Sequence, residues 1–314
     1  MRVLVVRLDG IGDAAVCAPL VAGLRAAGHA VGMALTTRNA GLYAPGVLIA
    51  EHVLERIPWP AHGSTPASTA RAKDEIAAMR YDVALIASEE PEAFALAAPI
   101  PRRIGFTTGW ARPFKTLWVR ARTTARVARS QRIGGEAAHE VEVLYRLGRG
   151  LVEPERPTTD AARLRSLFVA TAPPRERGPV LLQAGPKWAA IGVPDEALRS
   201  AVMRLQPAGL LVVAAPGDAA SAERALGVPV ATFARLADWV AALDGARAVV
   251  TVDTGAAHVA GMLGTPVVDV FPDARFGDQV RRWWPWASSS RMLRASVVAG
   301  GTGAALVEAV QDGF

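Results

Sequence analysis

Seven short apolar runs rich in β-branched residues punctuate the chain: Val3–Val6, Val31–Leu35, Asp82–Ala87, Val180–Gln183, Leu210–Ala214, Ala248–Val252 and Val267–Phe271. Strands that are apolar on both alternating faces are buried on both, which requires a parallel sheet covered by helices. The stretches between them carry helical spacing, as in Leu20 and Leu24 after Pro19, or Leu198, Val202 and Leu205 after Pro194, with proline near the helix start. Strand alternating with helix predicts an α/β fold.

At 314 residues, and roughly 100–200 residues per domain, the chain has room for about two domains. Residues 153–178 carry two proline- and charge-rich segments around one short apolar helix, the composition of a linker. We therefore expect domains over 1–152 and 179–314. With 51% hydrophobic and 20% charged residues, the chain is globular and not disordered. Cys17 is the only cysteine, so no internal disulfide forms, and no Cys/His cluster has zinc-site spacing. These features predict a cytoplasmic protein with no metal. Apolar runs are cut by Arg25, Glu89, Asp218, Asp253 and His258 well short of the roughly 20 residues that span a bilayer. Val3–Val6 is too short for a signal-peptide core. The formal charge of +6 favours anionic partners.

The first strand opens into Arg7-Leu8-Asp9-Gly10-Ile11-Gly12-Asp13-Ala14-Ala15. Gly10-x-Gly12-x-x-Ala15 fits the dinucleotide fingerprint, in which glycines let a turn approach a phosphate at a helix N-terminus. Thr36-Thr37-Arg38, after the second strand, lacks the acid that would hold a ribose diol, although Arg38 suits a 2′-phosphate. An NADP-dependent oxidoreductase is thus one reading. Against it stands Asp13, a carboxylate where a pyrophosphate would sit; it either caps the following helix or serves as a general base at the mouth of a cleft. Asp9 reads as a turn former.

In the second half, strand Ala248–Val252 ends in Asp253-Thr254-Gly255-Ala256-Ala257-His258, a small polar cluster at the carboxyl end of a parallel strand, where α/β sheets bind ligands. Thr254 and the amides near Gly255 suit a phosphate, and His258, one helical turn on, shares their side. The plain alternative is a capped helix with a buried histidine. Asp218, after Leu210–Ala214, is placed to accept ribose hydroxyls, with Glu223 a weaker candidate; Lys187, after Val180–Gln183, is placed to neutralise a diphosphate.

These residues together resemble glycosyltransferase family 9, which includes the lipopolysaccharide heptosyltransferases. Arg7, Gly10, Gly12 and Asp13 look like its N-terminal signature. Val252-Asp253-Thr254-Gly255-x-x-His258-x-Ala260-x-x-x-Gly264-x-Pro266 looks like its donor-site signature, and His139-Glu140-Val141-Glu142 is similar to a helix near its domain boundary. The resemblance implies the GT-B architecture, two Rossmann-like domains with parallel sheets facing a central cleft. It further implies inverting transfer of a sugar, usually heptose from ADP-heptose, without metal or other cofactor, to an acceptor hydroxyl in envelope polysaccharide or lipopolysaccharide synthesis. By position, Asp13 is then the base, Asp253, Thr254, Gly255 and His258 hold the donor, and Asp218 falls near the ribose-binding acid. Where the family has Lys before Trp-Pro, this chain has Ile191-Gly192-Val193-Pro194, which leaves the phosphate-facing lysine to Lys187; Phe271-Pro272 stands for the usual Phe-Gly.

From Pro101 to Gly135 there are nine Lys or Arg and no acid: Arg102, Arg103, Arg112, Lys115, Arg120, Arg122, Arg126, Arg129 and Arg132, interleaved with Phe106, Trp110, Phe114 and Trp118. In a GT-B enzyme of this kind the first domain faces the acceptor. The stretch therefore fits an anionic glycan or glycolipid acceptor, or peripheral contact with an anionic membrane at its inner face. The alternative is a solvated Arg-rich helix pair; nucleic acid is not expected, because no binding motif accompanies the charge. A third reading is a non-catalytic nucleotide-sugar or polyanion binding protein.

Overall fold

All seven apolar runs are strands in the computed structural model, which describes residues 1–57, 63–129, 132–133, 136–172 and 176–313. The backbone divides into two units, Met1–Thr158 and Thr159–Phe314. Pro173, Pro174 and Arg175 of the proline-rich segment, and the side chains of Trp110 and Arg132, lie outside the described residues.

The first unit is built on β1 (Arg2–Val6), β2 (Ala30–Thr36), β3 (Glu51–Leu54), β4 (Val83–Ile86), β5 (Arg102–Thr107) and β6 (Ala125–Ala128). They form one parallel sheet in the order β3-β2-β1-β4-β5-β6, with Val3 paired to Val31 on one side and Val83 on the other. A two-stranded antiparallel hairpin, β7 (Arg132–Ile133) and β8 (Glu136–Ala137), stands apart from it. Leu4, Val6, Ala84 and Ile86 pack on one face with Ile76, Phe94, Leu96 and Val119 from three helices, and all are buried. Burial of each such aliphatic side chain stabilises by about 1.5–3 kcal/mol. The sheet order reverses between β1 and β4, so the loops after these two strands flank the crevice where parallel sheets take ligands.

The basic stretch is not a helix pair. It runs as β5, then helix Pro113–Arg120, then β6. Gly105 permits this, because a Cβ there would come within 3.1 Å of Thr123.

The second unit holds β9 (Val180–Gln183), β10 (Leu210–Val213), β11 (Val249–Val252), β12 (Val267–Phe271) and β13 (Ser290–Arg294), all parallel, in the order β10-β9-β11-β12-β13. Val180, Leu182, Val250, Val252, Val268 and Val270 form one buried face with Leu198, Val202 and Leu205 of helix Asp195–Leu205. The intervening residues therefore turn to the other face, and Thr251 is in register with Asp269 there. Helix Ala161–Arg165 joins this unit through Arg165, which grips Asp244 with two bonds of 2.7 Å. Here the order reverses between β9 and β11, which puts the loops carrying Lys187, Asp218 and Asp253 on three adjacent strands at one sheet edge.

Candidate functional site

In the first unit, Gly10 is the N-cap of a five-residue helix, Ile11–Ala15, and Asp13 turns back on it. The Gly10 amide donates to Asp13 Oδ2 at 3.2 Å. That amide would be needed by a pyrophosphate, so the dinucleotide reading of the turn loses its anion site to the protein's own carboxylate. Asp13 Oδ1 is ion-paired to Arg7 Nη2. Arg7 is buried and also donates to the Ala87 carbonyl and pairs with Asp9 at 3.2 Å. Burial opposes its charge, but Cys17, Asp9, Asp13 and Glu140 hold its pKa above the usual value. Asp13 is thus both a cap and a carboxylate with a third of its side chain still exposed. Asp9 accepts from Ser88 at 2.8 Å, a tie between the loops after β1 and β4.

A cavity of about 840 Å³ opens beside this turn, lined by Asp9, Gly10, Arg38, Arg56, Glu90 and Glu92 among others. Arg56 donates to the Leu8 carbonyl and Glu90, each at 2.6 Å, and pairs with Glu92 at 3.3 Å. Arg38 is exposed and has no acidic partner among the described residues. Arg56, Glu90 and Glu92 escaped sequence reasoning, although the acidic run Glu89-Glu90 directly after an apolar strand marks the same sheet edge.

The basic residues do not form one patch. Arg102 and Arg103 begin β5, at the sheet end opposite the Gly10 turn, where Arg103 donates to the Arg122 and Ile100 carbonyls. Lys115 reaches Glu89, which Arg129 also contacts. Burial alone would raise the Glu89 pKa, but Lys115 and Arg129 bring it below the usual range. Arg129 pairs at 2.9 Å with Glu140, which is fully buried at the start of the helix capped by His139. Arg112 and Arg120 are exposed.

In the second unit, Thr254 is the N-cap of helix Gly255–Leu263 and takes no side-chain capping bond; its Oγ1 lies 3.0 Å from Thr251 Oγ1. The first amides of this helix are therefore left for an anion. Lys187 meets both the carbonyl and, at 3.4 Å, the carboxylate of Asp253. His258 Nε2 lies 3.4 Å from the other Asp253 oxygen, and its ring packs on Trp283 at 5.5 Å. Burial would raise the Asp253 pKa, but His258 and Lys187 pull it down. The structure thus gathers Lys187, Asp253, Thr254, Gly255 and His258 at one turn. Asp218 is the N-cap of helix Ala219–Leu226, at the end of the strand next to β9, and makes no side-chain capping bond, whereas Glu223 is occupied by the Val230 amide at 3.1 Å.

Two further residues belong to this turn. Trp283 was not singled out in the sequence. Nor was Asp269, whose carboxyl is fully buried on β12 with neither oxygen hydrogen-bonded among the described residues. Burial, with Asp253 nearby, pushes its pKa well above the usual range, against the pull of Lys187. A charged residue inside an otherwise apolar strand was the available signal. Among the described residues no group of three or more His, Cys, Asp or Glu is arranged to hold a metal, and no helix is long and apolar enough to cross a membrane.

Two parallel-sheet units, each with a polar turn at its switch point, define an α/β protein of the GT-B class. Residues 214–298, the stretch that carries the second signature, match the model of glycosyltransferase family 9 (heptosyltransferase). Among solved structures it is similar to the E. coli heptosyltransferase WaaC with ADP, at 19% identity over 100% of both chains with a TM-score of 0.75. It is also similar to E. coli ADP-heptose lps heptosyltransferase II, at 17% identity over 99% of this chain and 98% of that one, TM-score 0.69. A family 9 glycosyl transferase from Veillonella parvula matches at 15% identity over 98% and 89%, TM-score 0.67. At these identities the likeness is one of fold. No curated protein matches the sequence.

Proposed function

We propose that this nucleotide-sugar glycosyltransferase moves a sugar, in the favoured case heptose from ADP-heptose, to an acceptor hydroxyl with inversion and without a metal. The observation that carries the reading is the turn at Thr254. It offers uncapped helix amides, a lysine and a histidine gathered on one aspartate. In a single displacement the acceptor oxygen attacks the anomeric carbon, the bond from that carbon to the diphosphate oxygen breaks, and Asp13 takes the acceptor's proton. Arg7 fixes the orientation of that carboxylate. Lys187 and the amides of Gly255 and Ala256 meet the charge that grows on the leaving diphosphate. Asp253, itself anionic, orients the turn and accepts from sugar hydroxyls, and Asp218 accepts from the ribose. Heptose, ADP and a role in envelope polysaccharide synthesis come from the likeness to heptosyltransferases alone.

The acceptor in this reading is an anionic glycan or glycolipid. Arg38 at the cavity and Arg112 beyond β5 supply cations without acidic partners among the described residues. The test is the Asp13→Ala variant. Its turnover with ADP-heptose and a lipopolysaccharide-core acceptor is expected to fall by at least about 10²-fold, with ADP affinity nearly intact. Near-normal turnover would reject Asp13 as the base.

A further inference from the structure

Helix Pro113–Arg120 carries the two most exposed large apolar side chains among the described residues, Phe114 at 86% and Leu117 at 61%. Their i, i+3 spacing places them side by side on one face. The opposite face is anchored by Val119, which is buried, and the flank by Trp118, which stands edge-on to Phe94 at 4.8 Å. The two apolar prongs are therefore held out by a fixed helix. Arg112, Arg120 and Arg126 are exposed around them, and none has an acidic partner among the described residues. Beside Leu117 lies a notch of about 220 Å³ whose polar lining is Thr107, Thr116, Arg120 and Arg126.

We propose that this face docks on an anionic lipid surface, with Phe114 and Leu117 entering the interfacial region and Arg120 and Arg126 holding a lipid phosphate in the notch. Apolar prongs alone would suit any protein partner, and arginines alone any polyanion. The two together match a surface whose charged headgroups lie directly over hydrocarbon. The run from Pro101 to Gly135 contains no acid to oppose that charge. Single-stranded nucleic acid is matched less well, because it has no place for Leu117 and is better served by flat stacking platforms. Docking of this kind deepens the glycolipid-acceptor reading, and it can be measured without turnover.

The test is co-flotation of the full chain with vesicles of phosphatidylglycerol and phosphatidylcholine, against vesicles of phosphatidylcholine alone. Binding is expected to the anionic vesicles only, with release as salt rises from about 0.1 to 0.5 M. In Phe114→Ser/Leu117→Ser and in Arg120→Glu/Arg126→Glu, partition is expected to fall at least about tenfold, with melting temperature and ADP affinity unchanged. Both pairs are exposed, so they leave the core intact. The proposal is overturned if the wild-type chain stays in the buffer. It is equally overturned if the Phe114→Ser/Leu117→Ser variant floats like wild type, or if the chain binds a single-stranded oligonucleotide and no vesicle. A failure of the sugar-transfer reading would appear separately, as absent ADP binding with vesicle binding intact.

Discussion

Arg7 carries the first turn: one buried guanidinium meets the Ala87 carbonyl, Asp9 and Asp13. Removing one partner of a fully buried pair costs about 3–5 kcal/mol. Asp9 and Asp13 each keep a third of their side chain exposed, so Arg7→Met is expected to lose less, on the order of 2–3 kcal/mol, in urea unfolding; an unchanged midpoint would show that Arg7 does not organise the turn. Cys17 sits beneath it, fully buried, with its thiol pushed up to about 12, chiefly by burial and against the pull of Arg7. At pH 8 native protein should resist iodoacetamide while denatured protein labels completely, as mass spectrometry would show; rapid labelling of the native chain would contradict this burial. Asp269 is the opposite case, a carboxyl that the fold tolerates at a cost. Its pKa is raised on folding, so its contribution to stability is fully present below the ordinary carboxyl range near pH 4 and is lost as pH rises toward the elevated folded value. Asp269→Val, of similar volume, should be about 1–3 kcal/mol more stable at pH 7 and should flatten the decline above pH 4. A less stable variant would mean that the carboxyl has a native role in stability.

At the scale of the element, helix Gly255–Leu263 depends on close approach as well as on its N-terminus. A Cβ at Gly261 would stand 2.9 Å from the backbone of both Pro285 and Trp286. Gly261→Ala should therefore cost about 1–3 kcal/mol through displaced backbone, read by thermal unfolding; a neutral result would mean the 285–286 segment yields freely. The legibility of elements followed their burial. β1, β9, β11 and β12 announced themselves as largely apolar runs because both faces are covered, β12 despite Asp269 at its centre. β3, β6 and β13 did not, being edge strands with only partial cover. β3 further hides its character in His52, a polar residue that is buried only because Glu75 and Tyr81 take its two nitrogens at 3.1 and 2.9 Å. β5 was obscured by opening on two arginines and by a glycine that packing demands. Within the site, Asp253, Thr254, Gly255 and His258 were legible because four neighbours in sequence share one helix start. Lys187 was legible as a residue but not as a partner of Asp253, since that contact spans 66 positions. Trp283 and Asp269 were missed for the same reason: each reaches the turn from another strand or helix.

For the molecule as a whole, the rival functions separate by which ligand stabilises the native state. A ligand at 100 times its dissociation constant adds about 2.7 kcal/mol, so ADP should raise the melting temperature visibly and NADPH should not. The reverse pattern would restore the oxidoreductase reading. The measurement that goes most directly to the central claim is a calorimetric titration of ADP into the wild-type chain and into folded Thr254→Ala, Gly255→Val and His258→Ala variants. Loss of a neutral hydrogen bond at His258 should weaken binding by about 0.5–1.5 kcal/mol, or up to about 3 kcal/mol if the ring is charged. Gly255→Val should be worse, because a β-branched side chain would block the phosphate's approach to the helix amides. Weakened binding in this order would place the donor diphosphate at the start of helix Gly255–Leu263; unchanged affinity in all three would contradict that, leaving a glycosyltransferase fold whose donor binds elsewhere.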